Sequence, residues 1–437
     1  MNKQDVVHKE YRELDDLKTA LLVSIYRSTA AKKASEDSLD ELENLCTTFG
    51  LQVVHKIPCP IKKFDAATYL GKGKIQELML LEADVVIFDD EISPHQQRNL
   101  EELFKRPVID RTELILEVFA KRAQTKEARL QIELAKVRYQ FPRLKRLWTH
   151  LSRQSAGGGA YLKGEGEKQI EIDKRLLKVR LDRLEKELEE VRMHRDTQRR
   201  ARIRSGIPTF AIIGYTNAGK STLLNALTHA QVLVEDKLFA TLDTTTRKYH
   251  LPNKQEVLLI DTVGFIRKIP HTLVAAFKST LEEAIHTDIL LHLIDVSHPM
   301  AEAQAEATYE VIKELGATHQ PIITVLNKID KCSNPALIHK FRIKYPKTVA
   351  ISATNGTGFD DLLEIMTQEI SNLRKIVNLR IPQSHYDLVS LIMREGRVIS
   401  SDYEENDVLL HVEIPRSLEH KILPFIIHGE EPCDKSL

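Results

Sequence analysis

No stretch of this chain approaches the roughly 18 consecutive apolar residues that a membrane span requires. The opening Met1-Asn-Lys-Gln-Asp has no apolar signal core either. Cysteine is scarce. Cys46, Cys59, Cys332 and Cys433 are scattered without a C-x-x-C pair, which argues against a disulfide framework or a zinc site and fits a reducing cytosol. The expected location is the cytoplasm, with peripheral association the one membrane contact left open. Net charge is missing as well: 63 Lys+Arg balance 63 Asp+Glu, so the total says nothing about partners.

What the total hides, the distribution shows. Between Lys121 and Ser205 stand 24 Lys+Arg against 12 Asp+Glu. Arg143, Lys145, Arg146 and Arg153 bracket Trp148 and His150, and Arg199, Arg200, Arg202 and Arg204 close the segment. Leu130, Leu134, Val137, Phe141, Leu144, Leu147 and Leu151 recur at helical spacing, as do Leu177, Leu181, Leu184, Leu188 and Val191. Between the two runs, Gly157 to Gly166 holds five glycines in ten residues. Two apolar stripes around a glycine-rich connection predict an antiparallel helical hairpin with Pro142 kinking or breaking its first arm. A basic prong of this kind is the electrostatic footprint of nucleic-acid binding. The plainer reading is a long helix laced with salt bridges, and the acidic cluster Glu185 to Glu190 favours that for the second arm.

The most specific stretch is Gly214, Tyr215, Thr216, Asn217, Ala218, Gly219, Lys220, Ser221 and Thr222. It follows the apolar run Phe210-Ala-Ile-Ile213 and leads into Leu223-Leu-Asn-Ala-Leu227. Strand, glycine-bounded loop and helix in that order form a P-loop, whose amides converge on phosphate oxygens. Lys220 adds a positive charge near the outer phosphates, Ser221 offers a hydroxyl to Mg²⁺, and the helix N-terminus lies beneath. Further on, Asp261, Thr262, Val263 and Gly264 close an apolar strand. Asp261 can reach Mg²⁺ through its water shell, and the Gly264 amide can contact a γ-phosphate.

Asn327, Lys328, Ile329 and Asp330 end another apolar strand as N-K-x-D. Asp330 can accept the N1–H and 2-amino protons of guanine, a donor pair that adenine lacks. Asn327 braces the loop, and the Lys328 stem can cover the base. Ser352, Ala353 and Thr354 follow Val349-Ala-Ile351, with Ser352 and Ala353 placed for the guanine edge. Together these motifs predict an enzyme that binds GTP or GDP and hydrolyses GTP.

Between them lies Phe239, Ala240, Thr241, Leu242 and Asp243 in a threonine-rich run. Thr241, Thr244, Thr245 and Thr246 are all candidates to complete Mg²⁺ coordination. Phe265 follows Gly264 where many small GTPases carry a water-orienting glutamine, so hydrolysis must draw on something else. Asn217 is a candidate ligand for a monovalent cation such as K⁺, or else a loop-shaping hydrogen-bond former. Lys220, Asn217 and Gly264 are thus the candidate catalytic groups.

At 437 residues the chain exceeds one core and calls for about three domains. The fold class expected is α/β multidomain. Residues 1–112 alternate short apolar strands with helical patterns, giving an N-terminal α/β domain. A helix from Ser38 to Gly50 is one reading there. Gly71 to Lys74 reads equally as an anion-holding turn or a glycine-rich turn with exposed lysines, and Asp89, Asp90 and Glu91 resemble a metal site but read better as solvated loop charge. Residues 113–204 form the hairpin, 205–372 the P-loop domain and 373–437 a small α+β module.

With these motifs in place, the chain resembles the HflX family of GTPases over nearly its whole length. Beyond the GTPase motifs, the likeness rests on Leu70-Gly-Lys-Gly-Lys74, Ser93-Pro with Gln96-Gln-Arg-Asn-Leu100, Asp110-Arg-Thr112 and Trp148-Thr-His-Leu151. The resemblance implies Mg²⁺ ligands at Ser221 and Thr241. It implies binding to the large ribosomal subunit and its rRNA, with GTP-controlled splitting of stalled or idle ribosomes. The glycine-rich tip departs from the family pattern, since Ala160, Lys163 and Glu165 replace glycine, arginine and proline. Some relatives also use ATP, but this sequence contains no second phosphate loop. A monomer is expected. The rival readings are a GTPase accessory to ribosome maturation or RNA modification, and an rRNA-binding module in which GTP only switches affinity.

Overall fold

The computed structural model describes residues 16–143, 163–205, 207–228, 238–239, 244–268, 286–317, 320–404, 406–415 and 418–427. The chain gathers into two compact units. The first comprises Met1–Glu190 with Val234–Asp243 and Val263–Thr280; the second comprises Val191–Leu233, Thr244–Thr262 and Leu281–Leu437.

In the first unit, β1 (Thr19–Tyr26), β2 (Gln52–Pro60), β3 (Val85–Phe88) and β4 (Val108–Asp110) form a parallel sheet in the order β2-β1-β3-β4. Every residue of β3 is buried, as expected of a parallel strand covered on both faces. Helix α1 (Thr29–Phe49) joins β1 to β2, α2 (Lys72–Met79) precedes β3, and α3 (Pro94–Phe104) precedes β4.

Helix α1 begins well before Ser38. Its cap is Ser28, whose side chain accepts from the Ala31 amide, while Gly50 closes it at φ 109°. The first turns, Thr29-Ala-Ala-Lys-Lys-Ala, are good helix formers without an apolar stripe, so periodicity alone does not detect them. Ser38 is instead buried mid-helix and donates to Asp89 at 2.8 Å. Gly71 caps α2, and Lys74 is engaged with Glu77.

Helices α4 (Arg111–Arg122) and α5 (Lys126–Gln140) follow β4. A short 3₁₀ turn over Phe141–Arg143 ends this run at Pro142, which has no N–H to continue an α-helix. The stripe from Leu144 to Leu151, Trp148, His150 and the tip residues 157–162 lie outside the described residues. Lys163–Ser205 is one helix, α6, so the last four residues of the expected glycine loop are helical. Ion pairs Arg138–Glu185 at 2.7 Å and Arg180–Glu133 at 2.6 Å join α5 to α6.

Arg143 corrects the charge reading. It is buried, donates to Ile92 O at 2.8 Å and Asp110 Oδ2 at 3.3 Å, and lies 3.7 Å over the Tyr139 ring. It supports the fold and does not face an RNA.

In the second unit, β5 (Thr209–Gly214), β6 (Thr245–His250), β7 (Glu256–Asp261), β8 (Ile289–Asp295), β9 (Ile322–Asn327) and β10 (Thr348–Ala350) form a sheet in the order β10-β9-β8-β5-β7-β6. Only β6 pairs antiparallel. Helices α7 (Lys220–Thr228), α8 (Ala301–Glu314), α9 (Pro335–Lys344) and α10 (Phe359–Leu373) belong to this domain. Leu223, Leu227, Leu362 and Met366 pack with Phe210, Leu259, Leu291 and Val325 in one core. Ala301, Ala305 and Phe341 pack with Ile294 and Leu326 in another.

The last part is an antiparallel sheet β11-β13-β12, from β11 (Arg374–Pro382), β12 (Arg397–Glu404) and β13 (Asp407–Pro415). Val377, Leu379 and Ile381 alternate toward Val389 and Ile392 of α11 (Tyr386–Glu395). The final helix is short: α12 spans Glu419–Ile422.

Candidate functional site

The parallel strands of the second unit end on one edge, and the loops there carry most of the predicted residues. β5 ends in Gly214, and α7 starts at Lys220. A Cβ on Gly214 would lie 2.4 Å from the Leu293 carbonyl oxygen of β8. One on Gly219, at φ 95°, would lie 2.3 Å from Asn327 Nδ2. Neither position admits a larger residue without displacing the loop. Asn217 also sits at positive φ, 60°, where asparagine is tolerated better than most side chains.

Lys220 is buried and donates from Nζ to the carbonyl oxygens of Tyr215 at 2.8 Å and Gly214 at 3.2 Å. Burial pulls its pKa down to about 8, against a weaker upward pull from Asp261. Ser221 Oγ donates to Asp261 Oδ2 at 2.7 Å, joining the start of α7 to the end of β7. A hydroxyl and a carboxylate in contact are oxygen donors of the kind Mg²⁺ takes. No group of three His, Cys, Asp or Glu among the described residues could hold a metal on its own. Thr262 is fully buried and donates to Ile212 O at 2.7 Å, so its hydroxyl serves the strand. The Thr216 hydroxyl is buried without a hydrogen-bond partner among the described residues.

Asn327 joins three loops. Its Nδ2 donates to Ala218 O at 2.8 Å, and its Oδ1 accepts from the Ala353 amide at 3.0 Å. Lys328, at φ 61°, pairs with Asp295 at 2.8 Å, at the end of β8. Asp330 is exposed, and one of its oxygens accepts from Ser352 Oγ at 2.6 Å. That bond fixes the carboxylate while leaving its second oxygen uncommitted to Ser352. Ile329 lies in the 3₁₀ turn holding Asp330, and Thr354 is exposed just beyond Ala353.

The remaining predicted residues divide in two. Ala240, Thr241, Leu242 and Asp243 lie outside the described residues. Phe239, Val263 and Gly264 belong to the first unit, where Phe239 meets Phe119 edge-on at 4.4 Å between ring centroids.

Two residues of this region carry no motif signal. Asp295 was readable only as the last residue of an apolar strand. His292 lies inside that strand, fully buried, with neither ring nitrogen hydrogen-bonded to any described residue, and its ring meets Tyr309 edge-on at 4.8 Å. Burial first, then the charge of Lys220, lowers its pKa to about 3, so it is neutral. A lone histidine in an apolar run reads as core, and it is core.

Three family models match in sequence order: GTP-binding GTPase N-terminal over 36–120, GTP-binding GTPase Middle Region over 122–202, and 50S ribosome-binding GTPase over 209–328. The chain is also 47% identical over 422 residues to the GTPase HflX of Chlamydia pneumoniae, spanning 95% of this chain and 89% of that relative. The chain belongs to the GTPase HflX family. Other HflX relatives include those of Lacrimispora saccharolytica, 42% identical over 94% of this chain and 96% of the relative, and Escherichia coli, 41% over 91% and 93%. This HflX-family chain is therefore a GTPase that binds GTP and GDP. No helix among its described residues is long and apolar enough to cross a membrane.

Proposed function

We propose that a guanine nucleotide seated over Lys220 and read by Asp330 controls how the basic middle region holds large-subunit ribosomal RNA. The observation that carries this is Asn327, which bonds the P-loop at Ala218 and the base-side loop at Ala353 with one amide. Phosphate and base subsites are thereby fixed relative to each other.

In this reading the P-loop amides and Lys220 bind the phosphates. Ser221 and Thr241 would hold Mg²⁺, with Asp261 supporting it, and the Gly264 amide would sense the γ-phosphate. Mg²⁺ neutralises phosphate charge when bound. Asn327, Lys328, Ile329 and Asp330, with Ser352, Ala353 and Thr354, enclose the base. Stalled or idle ribosomes are the substrate on which GTP binding and release act, and splitting them into subunits is the outcome.

Cosedimentation of the full chain with large ribosomal subunits tests this, under GDP and under a non-hydrolysable GTP analogue across a salt series. Binding should be stronger with the analogue and should fall steeply with salt, as expected when several cations contact phosphates. Equal binding with either nucleotide would refute the switch. Density profiles of intact ribosomes then separate a splitting factor from a maturation factor, since only the first releases subunits.

Phe265 is buried and has no group that orients water, so the charge that speeds hydrolysis must come from elsewhere. We assign Asn217 as the ligand of a monovalent cation serving that purpose. GTP turnover should then be several-fold faster in K⁺ than in Na⁺ at equal ionic strength, and Asn217→Ala should remove the difference. Equal rates in the two salts would return Asn217 to a loop-shaping role.

A further inference from the structure

β1 and β3 are neighbours in the N-terminal sheet, yet the chain leaves β1 for β2 on one side and enters β3 on the other. A reversal of this kind opens a crevice outside the carboxyl ends of the two strands, where open α/β sheets take their ligands. Here the crevice is acidic, because Asp89 and Asp90 directly follow β3. Its occupant comes from the chain itself. The Lys268 ammonium pairs with Asp90 at 2.7 Å and with Asp89. Asp89 is buried and also accepts from Arg111 and Ser38, each at 2.8 Å. Asp89 and Asp90 thus form a socket for cations rather than solvated loop charge, while Glu91 beside them is exposed.

Lys268 lies four residues beyond Gly264, and the other sensing segment is anchored to the same unit. The Leu238 amide donates to Thr48 Oγ1 of α1 at 3.3 Å, and Phe239 packs on Phe119 of α4. Phe239 is two residues before Thr241. Both anchors adopt left-handed backbone, Phe239 at φ 56° and Lys268 at φ 55°. L-residues with long or aromatic side chains avoid that region, and such conformations persist only where surrounding contacts over-determine them.

We infer that the acidic crevice of the N-terminal sheet is the docking site of the Lys268 ammonium. With Phe239 on Phe119, it forms a latch on the residues that lead into Thr241 and out of Gly264, and this latch competes with GTP. The inference rests on the reading of Thr241 and Gly264 as the nucleotide sensors. A contact kept in one nucleotide state and given up in the other adds its free energy to the difference between the two affinities. Releasing the latch therefore favours the triphosphate.

The test is equilibrium affinity of the full chain for GDP and for a non-hydrolysable GTP analogue, in the parent protein and in Lys268→Ala, Asp90→Asn, Phe119→Ala and Lys268→Arg. Lys268→Ala should shift the ratio of the two affinities toward the analogue by about tenfold. Asp90→Asn and Phe119→Ala should move it in the same direction, and Lys268→Arg should hold it near the parent value. Lys268 and Asp90 are both partly exposed, so these variants should remain folded, as melting curves would show. A ratio in Lys268→Ala within about twofold of the parent, or shifted toward GDP, overturns the latch. If the parent binds both nucleotides equally, the sensor reading fails and the latch with it. A parent that discriminates while Lys268→Ala leaves its ratio unchanged refutes the latch alone.

Discussion

Asp330→Asn protein should bind GTP about 100- to 10,000-fold more weakly than the parent and should gain affinity for xanthosine triphosphate. Guanine offers two donors, N1–H and the 2-amino group, to the Asp330 carboxylate. Hydrogen bonds to a charged group contribute about 1.5–3 kcal/mol each, so losing two costs between two and four decades of affinity. Asparagine presents one acceptor and one donor, and its NH₂ would face a guanine donor. Xanthine carries a 2-oxo group in place of the amine, which restores donor-to-acceptor pairing. The loop should survive the change, because the Ser352 hydroxyl that now donates to Asp330 Oδ1 at 2.6 Å can donate equally to an amide oxygen. Competition binding with the two triphosphates measures the exchange. Retention of GTP affinity within about tenfold would show that Asp330 does not read the base.

The residues that were legible in the sequence are those whose role is set by near neighbours. The P-loop is a strand, a loop and a helix in succession, so Gly214, Gly219 and Lys220 could be placed before any fold was known. The helix start at Ser93-Pro94 is equally local, and the structure adds that Ser93 and Gln96, three positions apart, form both bonds of a capping box. The family-specific stretches outside the GTPase motifs also find a physical reason here. Asp110 caps α4 by accepting from the Glu113 amide at 3.0 Å, Arg111 holds Asp89, and Gln97 is buried against Val108 O at 2.6 Å.

What was not legible depends on partners distant in sequence. Arg143 counted among the RNA-facing cations because a charge tally cannot see Asp110, which lies 33 residues away and neutralises it. Asp89 read as solvated because its cations, Arg111 and Lys268, stand 22 and 179 residues away. Burial pushes the Asp89 pKa up, yet Arg111 and then Lys268 outweigh it and hold the carboxyl below its ordinary value. Asn327 was legible as a brace, but the two loops it joins became specific only with the sheet order in hand.

Lys220→Met should reduce GTP turnover by about 100- to 1,000-fold, the usual cost of removing a preorganised charge that stabilises the transition state. The same change should leave the protein without nucleotide as stable as the parent or more so. The parent buries an ammonium, and replacing a buried charge by an apolar side chain of similar volume is often neutral or stabilising. The opposing loss is the pair of hydrogen bonds to Gly214 O and Tyr215 O. The pH dependence distinguishes the two contributions. The folded-state pKa of Lys220 is depressed to about 8 from an ordinary 10.5, so between those values the unfolded chain binds more protons than the folded one. Stability of the parent therefore gains from this group as pH rises through that window, and below 8 the burial penalty is fully present. The variant lacks that gain. Its melting temperature relative to the parent should accordingly be highest near pH 7 and fall as pH approaches 10. A variant that melts well below the parent at pH 7 would show that the two carbonyl bonds outweigh the penalty, and that Lys220 stabilises the loop it is expected to strain.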